Sequence, residues 1–313
     1  MKRLFLLLIG TLGISTAFAQ GEAYREEELS INPYIDGSLT NPVSGDAESL
    51  VILIQGSGPT DRNGNQPMKK SDFSKKISRQ LAENGIASFR YDKRIFKMDA
   101  LRINEEDLRF EDFIEDAVNV LEYFRKEDRY KRIIIAGHSQ GSLVGILSAR
   151  ERADAFISLA GAGQTLDKMI VEQVGKQAPD LKESMQESFN KLKERGKVED
   201  YNPMLQSVFR PETQPFLASW IKYDPVEEIS KLNIPVLIIN GSRDLQIEPK
   251  EAEMLNAALP ESKLVIIENM NHVFREIKDE DALYNFKSYS EPNRPLHPEL
   301  LPVMIEFING LNQ

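Results

Sequence analysis

Cysteine is absent from all 313 residues, histidine occurs three times and tryptophan once. Without a thiol the chain has no disulfide, no Cys-zinc site and no thiolate nucleophile, even in an oxidising compartment. Positive charge is short as well: 39 Lys and Arg stand against 49 Asp and Glu, a formal net charge of −10. No basic block interrupts that balance, so nucleic acid is not an expected partner. Long apolar runs are also missing. The N-terminal candidate is broken by Gly10, Thr11, Gly13, Ser15 and Thr16. It falls short of the roughly 20 residues that span a bilayer, so no stable membrane anchor is expected.

The N-terminal stretch reads instead as an export signal over residues 1–19. Lys2 and Arg3 supply the positive start, Leu4 to Ile9 the apolar centre, and Ala17-Phe18-Ala19 a small-x-small cleavage site before Gln20. No cysteine stands near that site to carry a lipid, so the expected destination is the periplasm or the medium. Cleavage leaves 294 residues and, with Lys2 and Arg3 gone, a formal charge of −12. That is enough chain for one large α/β domain with an insertion.

The organising stretch is Ile133-Ile134-Ile135-Ala136-Gly137-His138-Ser139-Gln140-Gly141-Ser142. A β-branched run ends in Gly-x-Ser-x-Gly and is followed by a helical segment of small residues, Leu143 to Arg150. This is the strand, sharp turn and helix of a nucleophile elbow, with Ser139 as the nucleophile. A serine hydroxyl is a weak nucleophile and must protrude from a tight turn toward a base while backbone N–H groups wait for the oxyanion. At Gly137 or Gly141 a side chain is expected to collide with the adjoining strand or helix. The bare string recurs by chance in roughly one chain in ten of this length, so its flanks and partners decide its meaning.

Those partners follow in order. Leu50 to Ile54 is a continuous apolar run suited to a strand buried on both faces, and it opens into Gln55-Gly56-Ser57-Gly58-Pro59-Thr60-Asp61-Arg62. A P-loop is excluded for want of Gly-Lys-Ser/Thr, and a dinucleotide turn because Asp61 occupies the third glycine position. What remains is the second half of an oxyanion hole, with Ser57 N–H acting beside Gln140 N–H, or else a plain tight βα turn. Downstream, Ile234 to Asn240 is followed by Gly241-Ser242-Arg243-Asp244, and Leu264 to Glu268 by Asn269-Met270-Asn271-His272. Ser139, Asp244 and His272 thus each fall just past a predicted strand, where open α/β sheets keep their chemistry. Of the other histidines, His138 adjoins the nucleophile and His297 lies between Leu296 and Pro298. Asp244 stands ahead of Asp167, Asp224 and Glu248 as the group that orients the base.

Elsewhere, residues 20–48 are polar, with one or two short edge strands, one near Ile35 to Thr40. Ser71 to Asn84 and Leu108 to Lys126 have helical spacing, Ile86 to Tyr91 is a strand, and the charged segment from Asp92 to Glu106 leaves the sheet for the surface. Strands alternating with helices imply a mostly parallel sheet covered on both faces. The alternation stops over residues 164–223, which divides the mature chain into a core of 20–163 and 224–313 with a helical cap between them. Met169, Met185, Met204, Phe209, Phe216 and Trp220 in that cap are candidates for an acyl pocket. Ser288 to Pro298 reads as extended, and Glu299 to Leu311 as a closing helix.

Four stretches together resemble serine hydrolases of the α/β-hydrolase fold, most closely bacterial secreted esterases and the serine aminopeptidase-like (S33-type) hydrolases. They are Gly56 to Arg62, Arg90-Tyr91-Asp92-Lys93-Arg94, Gly137 to Gly141, and Asn240 to Asp244 with Asn271-His272. Two positions depart: Gln55 stands where many relatives have His, and Ile95 where many follow Asp-Lys-Arg with Gly. Backbone donors do not depend on a histidine side chain, so the oxyanion hole survives the first departure. The expected activity is hydrolysis of a small carboxylic ester through an acyl-enzyme, with no metal or organic cofactor. One alternative is an exopeptidase holding a substrate ammonium on Glu172, Glu183 or Glu187. The other is a hydrolase-fold binding protein without turnover.

Overall fold

The structure, a computed structural model, describes residues 23–311 apart from 151 and 280. The export signal read over residues 1–19 lies outside the described residues. Eight strands form one sheet: β1 (Tyr24–Asn32), β2 (Ile35–Pro42), β3 (Ser49–Ile54), β4 (Ala87–Tyr91), β5 (Arg132–His138), β6 (Ala155–Leu159), β7 (Val236–Gly241) and β8 (Lys263–Ile267), in the order β1-β2-β4-β3-β5-β6-β7-β8. The β1–β2 and β2–β4 pairs are antiparallel and the other five are parallel. The polar N-terminal segment therefore builds two full strands rather than short ones, and of these two β2 is paired on both sides while β1 is an edge. Its solvent-facing glutamates are compatible with that place.

Period-two alternation in β3 shows how one run serves two layers. Leu50, Ile52 and Ile54 face one core with Leu143, Val144 and Ile146 of the helix Gln140–Ala149, while Val51 and Leu53 face the other with Ile77 and Leu81 of the helix Phe73–Glu83. The loops leaving β3 and β5 thus turn to opposite faces of the sheet. A crevice opens between their carboxyl ends, the place where doubly wound sheets bind ligands.

The helices Leu166–Gln177, Lys182–Arg195 and Gln214–Trp220 lie over those strand ends and have a core of their own around Val171, Met185, Phe189, Leu192 and Phe209. The C-terminal stretch is less extended than its prolines imply. A short helix, Ala282–Lys287, precedes it, and Tyr289 and Leu296 are buried against the sheet before the last helix, Leu300–Gly310. Among the described residues no helix is long and apolar enough to cross a membrane.

The segment after β4 corrects the sequence reading most sharply. Lys93 and Arg94 do not go to the surface; both are buried. Arg94 forks onto Asp116 of the helix Phe110–Glu127 at 2.7 and 2.8 Å and reaches Asp112 at 2.9 Å, which compensates its desolvation. The excursion starts only beyond it.

Candidate active site

Ser139 sits at the end of β5 with φ 54° and ψ −119°, a conformation that costs a side-chain-bearing residue strain. The flanking glycines make the turn possible. A Cβ on Gly137 would fall on the Gly141 carbonyl, and one on Gly141 would strike the carbonyls of Ile54 and Gln55. Ser139 N–H donates to the Leu159 carbonyl at 2.9 Å, and the helix Gln140–Ala149 starts at the next residue, so its unpaired N-terminal N–H groups face the same crevice.

Asp244 and His272 meet: Nδ1 of the imidazole lies 2.7 Å from Oδ2 of the carboxylate. The other carboxylate oxygen accepts from the N–H groups of Gln246 (2.8 Å) and Ile247 (2.9 Å), so Asp244 is held as an acceptor from both ends. The His272 loop is fixed by Asn271. Its Oδ1 accepts from Arg275 N–H at 2.8 Å, and its Nδ2 donates to Asn285 Oδ1 and Ser288 Oγ, both at 2.8 Å. The segment after residue 280 thus anchors the base loop, which no periodicity in it revealed. The rival carboxylates are occupied elsewhere: Asp167 pairs with Lys193, Asp224 caps the helix Pro225–Ile229, and Glu248 pairs with Lys176.

His138 is buried against the rings of Phe73, His272 and Phe274. Its Nε2 lies 3.0 Å from the His272 carbonyl, which can only accept, so the proton is on Nε2. Burial, reinforced by His272, pushes its ionisation well below the usual imidazole range, and the ring stays neutral. It holds the backbone of the neighbouring histidine. His297 also is buried; its N–H donates to the Phe274 carbonyl at 2.7 Å.

Two cavities meet at Ser139 and Ser57. One, of about 70 Å³, is also lined by His138 and His272 and by polar groups. The other, of about 40 Å³, is lined by Gln140 and by Leu143, Leu166, Met169, Trp220 and Ile247. Ser57 and Gln140, the two predicted oxyanion donors, thus line one cavity together with Ser139. Of the six cap residues considered for an acyl pocket, Met169 and Trp220 face this second cavity. Met185 and Phe209 are in the cap's own core, Met204 is 74% exposed, and Phe216 lines a separate apolar cavity of about 460 Å³ beyond the oxyanion loop.

Charged residues that motif reading left without a role build this loop. Asp61 Oδ1 accepts from Asn63 and Asn65 N–H at 2.8 and 2.9 Å, closing the turn after Ser57. Arg62 pairs with Asp92 at 2.6 Å and with Glu28. Lys93 Nζ donates to the Gly56 carbonyl at 2.6 Å and lies 3.4 Å from Gln140 Oε1, with the Phe113 ring beside it. Burial pulls that ammonium down to about 7. A buried lysine is invisible to hydropathy; the only signal for it was the Asp-Lys-Arg string.

The three proposed ammonium-binding carboxylates are not at the site. Glu172 is held down to about 2, first by the hydrogen bond from Lys250 and then by Gln164 and Lys176, and Glu183 and Glu187 are exposed on the helix Lys182–Arg195. Among the described residues no carboxylate lines either cavity at Ser139.

The family described as "Serine aminopeptidase, S33" matches residues 68–277, about two thirds of the chain. Esterase EstD of Thermotoga maritima is 26% identical over 273 residues, 82% of this chain; the chain spans about three fifths (61%) of that relative's length. Est1E from Butyrivibrio proteoclasticus superposes with a TM-score of 0.57 at 17% identity, covering 91% of this chain and 99% of that one. Pyrococcus horikoshii acylaminoacyl peptidase gives 0.57 at 16% identity, covering 93% of this chain and 42% of that one. These structural likenesses show the α/β-hydrolase fold expected from the sequence.

Proposed function

The chain belongs to the serine aminopeptidase, S33, family, and from that premise we propose that it hydrolyses carboxylic esters through an acyl-enzyme on Ser139. His272 removes the Ser139 proton as Oγ attacks the ester carbon, and the N–H groups of Ser57 and Gln140 hold the resulting oxyanion. The carbon–oxygen bond to the alcohol then breaks, and the alcohol leaves with the proton from His272. Water attacks the acyl-serine in the second half, giving the carboxylic acid and free Ser139. Asp244 keeps the imidazole in the tautomer this needs and stabilises the imidazolium.

The observation that favours an ester over a peptide with a free amino end is the missing carboxylate. An α-ammonium carried into either cavity would lose its hydration without a partner, and Lys69 on the wall of the larger would repel it. The esterase name of the Thermotoga relative points the same way. Aminoacyl amides are therefore expected to be cleaved far more slowly than matched esters; the reverse ranking on purified protein would select the exopeptidase.

Cavity size sets the acyl preference. The leaving oxygen must face His272, so the acyl group takes the other cavity, the smaller and more apolar of the two, about 40 Å³ against about 70 Å³. Each methylene that fits is worth about 0.8 kcal/mol, and each that does not must displace Met169 or Trp220. Across p-nitrophenyl esters, kcat/KM is expected to peak between acetyl and butyryl and fall about tenfold by octanoyl. Trp220→Ala is expected to shift the peak by two or more carbons. A parent enzyme fastest on octanoyl esters would move the acyl group to the 460 Å³ cavity.

A further inference from the structure

We infer that the cavity on the His272 side of Ser139 is a subsite for the leaving alcohol, and that it selects an alcohol with vicinal hydroxyls, a glycerol or sugar carrying a short acyl ester. The inference rests on the ester-hydrolase reading and deepens it. A tetrahedral carbon on Ser139 Oγ has three other substituents. The oxyanion turns to the backbone donors, the acyl carbon to the apolar cavity, and the leaving oxygen to the imidazole that protonates it. Only one of the two cavities at Ser139 is lined by His272, so its walls are what the alcohol meets.

Those walls carry hydrogen-bonding groups: Thr60, Gln66, Lys69, Gln246 and Tyr289, against Phe73 and Val273 on the apolar side. Thr60 and Tyr289 are buried, Gln66 is half-buried, and Lys69 and Gln246 are exposed. Gln66 Nε2 donates to the buried Thr60 Oγ1 at 2.8 Å and to the Ser57 carbonyl at 3.1 Å, which leaves its Oε1 to accept from a ligand. Gln246 stands on the turn whose N–H groups hold Asp244, and its Nε2 donates to the Tyr289 hydroxyl at 3.3 Å. Tyr289 is buried, and burial pushes its phenol upward, so the O–H is a donor throughout the working pH range. Gln66 and Gln246 offer acceptors, Tyr289 and Lys69 donors. A hydroxyl, which both donates and accepts, satisfies both kinds, whereas an alkyl chain would bury them unpaired. The room, about 70 Å³ against about 40 Å³ for the apolar cavity, takes the carbinol groups next to the ester oxygen.

The test keeps the acyl group as acetyl and varies the alcohol. Glycerol monoacetate and a methyl glucoside monoacetate are compared with butyl and cyclohexyl acetate, and p-nitrophenyl acetate reports the underlying chemistry. At least one polyol ester is expected to exceed the apolar esters about tenfold or more in kcat/KM, and which of them does so tells glycerol from sugar. Tyr289→Phe and Gln246→Leu are expected to lower that polyol-to-alkyl ratio by tenfold. In the parent protein, free glycerol or methyl glucoside should compete with substrate more strongly than butanol or cyclohexanol, a readout that needs no variant. Alkyl acetates turned over as fast as polyol acetates, with p-nitrophenyl acetate active, would overturn the inference alone. No turnover of any acetate would remove the ester reading and the inference with it.

Discussion

Under the proposed reaction, Ser139→Ala is expected to lower kcat on ester substrates by about 10⁶-fold, the scale seen where a serine nucleophile and its histidine act as a unit. Asp244→Asn should cost about 10⁴-fold, because an amide in place of Oδ2 offers His272 Nδ1 the wrong partner and leaves the imidazole in the wrong tautomer. The two losses should not add, since orientation of a base has no value once the nucleophile is gone. Stability separates the site from a packing role. Ser139 keeps φ at 54° against the preference of any side-chain-bearing residue, and alanine inherits that strain whereas glycine does not. Ser139→Gly is therefore expected to be as inactive as Ser139→Ala but more stable by about 1 kcal/mol in thermal unfolding. Full turnover in Ser139→Ala would place the nucleophile elsewhere, whereas a parent protein with no turnover on any ester would leave the hydrolase-fold binding protein as the better reading.

What could be read from the sequence was whatever depends on local pattern. Apolar runs located β3, β5, β6 and β7, and the residues just past them located Ser57, Ser139, Asp244 and His272, because strand ends and turn chemistry are short-range properties. What depends on the other side of a contact could not be read. Phe209 and Trp220 are both cap aromatics, yet Phe209 is fully buried beside Phe189 while Trp220 stacks on Phe110, 5.3 Å between rings, and borders the acyl cavity. Nothing in their own neighbourhoods distinguishes them. Charged residues misled for the same reason. Arg94 is buried because Asp116, 22 residues on, meets it. Lys93 was the costliest to misplace, since it touches the oxyanion loop itself.

Lys93→Met is the change expected to raise stability while impairing catalysis. The Gly56 carbonyl that accepts from Lys93 Nζ belongs to the same planar peptide as the Ser57 N–H, and the two point in opposite directions. Anchoring the carbonyl therefore aims the N–H, and Lys93 is expected to act as a positioning residue for the proposed oxyanion hole. Deleting an oxyanion donor outright costs about 10²–10³ in kcat. Letting one swing should cost roughly 10- to 100-fold in kcat, with little change in KM because ground-state binding is not its task. Lys93→Gln, which keeps a donor without the charge, should recover part of the loss. Stability should move the other way. Burial holds the folded amine at about 7 against an ordinary value of 10.5. Between those values the unfolded chain binds a proton that the folded one has given up, so the lysine's burden on stability is full below about pH 7 and fades as the pH rises. The gain from Lys93→Met should accordingly be greatest near pH 6, a few kcal/mol less about 1–3 for the orphaned Gly56 carbonyl, and should shrink toward pH 10. Denaturant unfolding at the two pH values, set beside kcat at each, checks both halves. A variant that keeps full kcat would show that Ser57 needs no such anchor, and one less stable at pH 6 than at pH 10, relative to the parent, would show that the buried amine carries no such burden.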